Sequence, residues 1–181
     1  LLILGFVSSL SGQQNSRKTW GEKLGFPADK RVLILHADDI GMCYEANAAA
    51  KSYLSLGEIQ SAAAMVPSPW FDEFADWYKE NPEMDVGLHL TLTSEWRHYR
   101  WPAVTPKEKV PGLHDSDGYL WRRVIDVVQN ATVEEVKTEI KAQIDRAISR
   151  GIQPGHIDTH MGTLYGHPLF TKTYIDVAME Y

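Results

Sequence analysis

His36-Ala37-Asp38-Asp39-Ile40-Gly41 places two adjacent carboxylates at the end of an apolar run, Val32-Leu33-Ile34-Leu35. A short apolar run closed by a breaker reads as a fully buried strand. Gly41 ends it, and Tyr44 to Leu56 reads as a helix. In open or barrel α/β folds, ligands bind at the carboxyl ends of the strands. The acidic pair therefore stands at the mouth of a site, where carboxylates bind metals or move protons. Asp-Asp-x-Gly also suits a turn or a helix cap, so this motif by itself leaves both readings open.

Two later motifs add to it. Asp85-Val86-Gly87-Leu88-His89-Leu90-Thr91 alternates like a strand and carries one His near its end. His156-Ile157-Asp158-Thr159-His160, entered through Gln153-Pro154-Gly155, reads as a short strand with His156, Asp158 and His160 on one face. A lone histidine such as His89 is ordinarily a structural hydrogen-bonding residue. Imidazole and carboxylate at three strand ends, however, make a ligand set for one divalent ion with room for water.

The order HADDIG, GLHLTLT, HIDTH resembles the YdjC-like (ChbG-type) carbohydrate deacetylases, from about Arg31 to the end of the chain. The three motifs in this order are specific; each alone is weak. The family is similar in logic to the NodB-type polysaccharide deacetylases, which use an Asp-His-His metal triad. The resemblance implies a distorted (β/α) barrel that removes acetyl groups from amino sugars. Carried over by motif, Asp39 is the metal-binding Asp and Asp38 the general base. His89 and His160 are the metal-binding histidines. Many members continue after the last motif in the style of HxDxHHHVH. Here His160 is followed by Met161-Gly162-Thr163-Leu164-Tyr165, a departure that bears on substrate preference more than on metal binding.

The chemistry agrees with these roles. An amide is poorly electrophilic and water is a poor nucleophile; a divalent cation, Mg²⁺ or Zn²⁺, offsets both. Asp39 would ligate while Asp38 takes a proton from water, worth about 10²–10⁴ in rate. Adjacent side chains on a strand point opposite ways, so the chain must bend, and Gly41 supplies the freedom. The leaving amine needs a general acid, for which His156 and Asp158 are the candidates. Asp158 equally suits a carboxylate that orients a ligand histidine.

The remaining pattern is that of an α/β protein. Glu58 to Val66 reads as a second strand, broken by Pro67-Ser68-Pro69. Trp70, Phe71, Phe74, Trp77 and Tyr78 form an aromatic stripe at helical spacing, more typical of a core than of a sugar platform. Thr132 to Arg150 reads as a helix with Val133, Val136, Ile140, Ile144 and Ile148 on one face, stopped by Gly151. Pro168 to Tyr181 is another helix. The long connection from Leu92 to about Leu120 is a functional candidate. Its Trp96, Tyr99 and Trp101 could stack on sugar rings, and Arg97 with Glu95 and Arg100 could bind hydroxyls or an acidic group.

Strands alternating with helices predict parallel pairing; the resemblance implies that they belong to a distorted, incomplete TIM-like (β/α) barrel truncated at its C-terminus. Residues 1–12, apolar then rich in Ser, resemble a signal peptide remnant and imply a secreted or periplasmic protein. Residues 13–30 read as an arm, and residues 31–181 as the N-terminal part of the barrel. The net charge of −6 argues against nucleic acid, and no segment reads as a membrane span. A single cysteine, Cys43, excludes an intramolecular disulfide. The expected partner is an acetylated carbohydrate; assembly as a homo-oligomer stays open. A metal-dependent phosphoesterase, another amidohydrolase or a non-catalytic carbohydrate-binding relative fits the same ligands.

Overall fold

The computed structural model describes residues 18–181, so the segment read as a signal peptide lies outside the described residues. Trp20–Lys23 (α1) is one helical turn, closed by a capping box between Thr19 and Glu22. A boundary between compact units falls after Leu33. No helix among the described residues is long and apolar enough to cross a membrane.

Four strands, β1 (His36–Ile40), β2 (Ser61–Ala64), β3 (Asp85–Leu90) and β4 (Ile157–Thr159), make one parallel sheet in the order β1-β2-β3-β4. The helices between them are α2 (Tyr44–Ser55), α3 (Phe71–Glu80), α4 (Val124–Asn130) and α5 (Val133–Ser149); α6 (Pro168–Glu180) follows β4. Parallel crossovers are right-handed, so strands laid down in sequence order put their helices on one face. The order never reverses, which makes the sheet an arc of an incomplete TIM-like barrel rather than a doubly wound sheet.

The two faces of the sheet have different chemistry. Val86, Leu88 and Leu90 alternate toward the helices with Ala62 and Ala64, and pack with Phe71, Phe74, Val136, Ile140 and Ile144 in one core. Each large side chain buried there contributes about 1.5–3 kcal/mol. The opposite face carries His36, Asp38, Ser61, Gly87, His89 and Asp158. Helix α5 also fixes the chain leaving β3. Gln143 accepts from Thr91 N (3.0 Å) and donates to Thr91 O (2.7 Å), while Glu139 accepts from Val104 N and Thr105 N. A capping box between Thr132 and Glu135 starts this helix.

Several expectations are corrected. The first strand is His36–Ile40, not Val32–Leu35, so the acidic pair lies inside it. The reason is its partner: pairing begins at Ser61, and Gln60 N to Leu35 O is the last bond upstream. Ile34 and Leu35 consequently stay exposed. The second strand is shorter than Glu58 to Val66 for the same reason. Ile148 faces solvent, whereas the rest of the predicted α5 stripe is buried or half-buried. Helix α4 has no counterpart in the sequence reading. Trp101 is only 1 % exposed, with Nε1 donating to Thr93 O at 2.9 Å. Its ring fills the core, so it is not a stacking surface for sugar.

Candidate metal centre

Three chain segments bring Asp39, His89 and His160 together. His89 is the penultimate residue of β3 and lies beside Asp158 of β4 in the ladder. His160 begins a 3₁₀ segment, His160–Tyr165, immediately after β4, rather than ending the strand as its spacing predicts. Asp39 Oδ1 is 3.0 Å from His160 Nδ1 and 3.4 Å from His89 Nε2. Ligand atoms about 2.0–2.1 Å from one tetrahedral Zn²⁺ would be about 3.3 Å apart, close to both values.

The backbone makes this convergence. On a regular strand Asp38 and Asp39 would face opposite sides. The ladder shifts register between Ala37 and Ile40, and Asp39 adopts φ +60°, in the left-handed region. The expected bend is therefore at Asp39 itself. That conformation costs an L-residue about 1–2 kcal/mol, and Asp is among the few that visit it. As a result Asp38 Oδ1 comes within 3.8 Å of His89 Nδ1 while Asp39 faces Nε2 of the same ring. Gly41, at φ +92°, then turns the chain into α2; a Cβ there would stand 3.0 Å from Phe71 Cα. Buried Asn47 holds this turn, accepting from Gly41 N at 2.7 Å and donating to Trp70 O.

A cation fits the donor set. Asp39 Oδ1 is buried and has no hydrogen-bond partner among the described residues; the His160 ring is close but does not meet hydrogen-bond geometry. A buried acceptor left unpaired costs about 1–3 kcal/mol. Two imidazole nitrogens and one carboxylate oxygen are suitable ligands for a divalent ion, with further positions for water or substrate. The His160 imidazole beside it, against the opposing effect of burial, holds Asp39 below the usual carboxylate range, and His89 adds to this. Burial disfavours charge on His160, but Asp39 and Glu95 on its two sides outweigh it and push the ring up to about 9.

Around this group lies a second set. Asp158 Oδ1 is 2.6 Å from His89 Nδ1, the place of a carboxylate that orients a ligand histidine. Burial raises the Asp158 carboxyl, yet the His89 bond brings it below its ordinary value. His36 Nε2 lies 3.1 Å from Asp38 and 3.6 Å from Asp158, while its Nδ1 is 2.6 Å from Ser61 Oγ. No motif in the sequence gives His36 a role, although its i, i+2 spacing from Asp38 puts both on one face. His156 sits one layer deeper, its Nδ1 3.3 Å from Asp85 and its ring edge-on to His36. A Cβ on Gly87 would meet that ring and the His156 carbonyl at 2.4–2.5 Å, so this glycine lets β4 approach.

The loop after β3 supplies Glu95, whose two oxygens lie 3.2 and 3.1 Å from His160 Nε2. Sequence reading gave it only a sugar-binding part; no spacing rule links it to His160. Trp96 and Arg97 are exposed beside it, and Tyr99 is half-buried with its hydroxyl donating to Met42 O at 2.7 Å. A groove of about 490 Å³ opens along Glu95, Trp121 and Arg122. A larger cavity, about 750 Å³, lies away from Asp39 between α5, α6 and β4.

Known proteins are similar to this chain. The family described as YdjC-like protein matches residues 32–181. A carbohydrate deacetylase of Thermus thermophilus is 36% identical over 160 residues, covering 88% of this chain and 54% of the relative. One from Brevibacillus brevis is 32% identical over 149 residues, 82% of this chain and 56% of the relative. The chain thus spans about half the length of the curated relatives it matches. The crystal structure of an Enterococcus faecalis protein, described as a candidate cellobiose-phosphate cleavage protein, superposes with a TM-score of 0.74 at 30% identity. It covers 82% of this chain and 55% of that one. On the family match and these likenesses, the chain belongs to the YdjC-like protein family.

Proposed function

We propose that this chain carries the metal ligands and general base of a divalent-metal-dependent carbohydrate deacetylase, which hydrolyses N-acetyl groups on amino sugars. The observation that carries this reading is the convergence of His89 and His160 on the buried, unpaired Oδ1 of Asp39. The relatives named carbohydrate deacetylase support the substrate class. A cation held by Asp39, His89 and His160 would polarise the amide carbonyl and make a water easier to deprotonate.

The chain's own residues take the proton of the attacking water and hold the site's rings in place. Asp38 is half exposed and next to His89, within reach of a water at the centre, and takes its proton. His36 Nε2 steadies that carboxylate and is itself anchored on Ser61. Asp158 holds the His89 ring and is thereby committed to orientation. His156 reaches Asp38 only by way of His36. Trp96 and Arg97 offer an exposed ring and cation to the sugar, beside the groove along Glu95.

Acetate release by the full-length protein from N-acetylglucosamine oligomers, with added Zn²⁺ or Mg²⁺, tests this. Release that is abolished by both Asp38→Asn and His160→Ala supports the reading. Metal uptake without acetate release from any acetylated sugar would sink the deacetylase and favour another hydrolase. Neither uptake nor release would leave a carbohydrate-binding relative.

A further inference from the structure

The two histidines facing Asp39 present opposite nitrogens. His89 turns Nε2 toward Asp39 and its Nδ1 meets Asp158. His160 turns Nδ1 toward Asp39 and its Nε2 meets Glu95. A neutral imidazole that offers one lone pair to a cation carries its proton on the other nitrogen. Which nitrogen is free is therefore set by the acceptor behind the ring. We propose that Glu95 is the positioning residue of His160, holding the Nε2–H tautomer and the ring orientation that aim Nδ1 at Asp39. The inference rests on the cation reading and adds the residue that makes His160 a competent ligand.

Glu95 is built for a fixed acceptor rather than a solvated one. It is half-buried, and both carboxylate oxygens lie about equally far from Nε2. Trp96 Nε1 donates to Oε1 at 3.1 Å. Arg122 gathers the carbonyls of Glu95, Trp96 and Arg97, with the Trp96 bond at 2.6 Å. One residue earlier, Ser94 N donates to Trp121 O and Ser94 Oγ accepts from Trp101 N. A carboxylate on a free loop would pay side-chain entropy to hold a ring; this one stands on a segment already pinned at both ends.

Zn²⁺ titration by calorimetry and imidazole ¹⁵N–¹H spectra of the full-length protein decide the matter, with Glu95→Ala and Glu95→Gln beside wild type. Glu95→Ala is expected to weaken Zn²⁺ binding about 10–100-fold and to lose the shielded Nε2–H resonance of His160. Glu95→Gln keeps an acceptor oxygen, so it restores the resonance and part of the affinity. Glu95→Ala that binds Zn²⁺ like wild type with the resonance intact overturns the inference. Failure of wild type to take up Zn²⁺ would overturn the cation reading instead. The resonance then decides Glu95 by itself: its loss in Glu95→Ala supports the positioning, and its persistence refutes it.

Discussion

Two carboxylates on opposite faces of the sheet are treated in opposite ways. Glu139, on α5, is fully buried and has a donor for each oxygen: Val104 N and Gln143 Nε2 on one, Thr105 N on the other. Asp39, on β1, has a buried oxygen with no hydrogen-bond partner among the described residues and a backbone at φ +60°. The first arrangement ties a helix to a loop and is complete as it stands. The second leaves one oxygen facing two imidazoles under strain, which a folded chain retains where function supplies the missing partner.

The largest contrast is between removing each of them. Asp39→Asn is expected to abolish Zn²⁺ uptake and acetate release while costing less stability than Glu139→Ala, because Asn also tolerates the left-handed region and only the charge shared with His160 is lost. Glu139→Ala strands three donors at about 1–3 kcal/mol each. Denaturant unfolding should show a loss of about 3 kcal/mol or more, while the folded protein still binds Zn²⁺ as wild type does. A Glu139 variant that lost the metal at full stability, or an Asp39 variant that unfolded, would reverse the assignment.

A smaller change sharpens the comparison at the edge of the site. Asp158 takes its pKa shift and its bond from His89, so Asp158→Asn should weaken Zn²⁺ affinity about tenfold, the low end for an orienting carboxylate. Calorimetry would show it, with stability near wild type. Unchanged affinity would mean that the His89 ring is fixed by packing alone.

How far the sequence foretold these places follows from the range of the interactions. Period-two alternation exposed Asp85–Leu90, and the cap and stripe exposed α5, because those signals are local. Strand ends in parallel α/β folds converge, which draws the three motifs to one site; within them it is the family resemblance that singles out Asp39, His89 and His160. Sequence placed β1 four residues early, since a strand ends where its partner does, and Ser61 is distant in the chain. Trp101 looked like a sugar platform because aromatic loop residues carry no mark of burial. Glu95 escaped notice as a partner of His160 because 65 residues separate them and only the fold brings them together.

The smallest effect expected is on pH dependence, measured by unfolding in chelator. His160 is raised from 6.5 to about 9, so its contribution is complete below 6.5 and is lost as pH rises through about 9. Asp39 is lowered from 3.8, so its contribution is present above 3.8 and lost as pH falls through its lower folded value. Glu139 runs the other way. Burial raises it from 4.5 in spite of its donors, so stability declines as pH climbs from 4.5 toward the folded value. Asp39→Asn should therefore flatten the alkaline limb between 6.5 and about 9 only in part, because Glu95 still faces His160. Glu139→Gln should remove the decline that starts at 4.5. Wild type and Asp39→Asn falling in parallel across the alkaline range would mean that Asp39 and His160 do not share charge. The unpaired oxygen would then be a defect of packing rather than a waiting ligand.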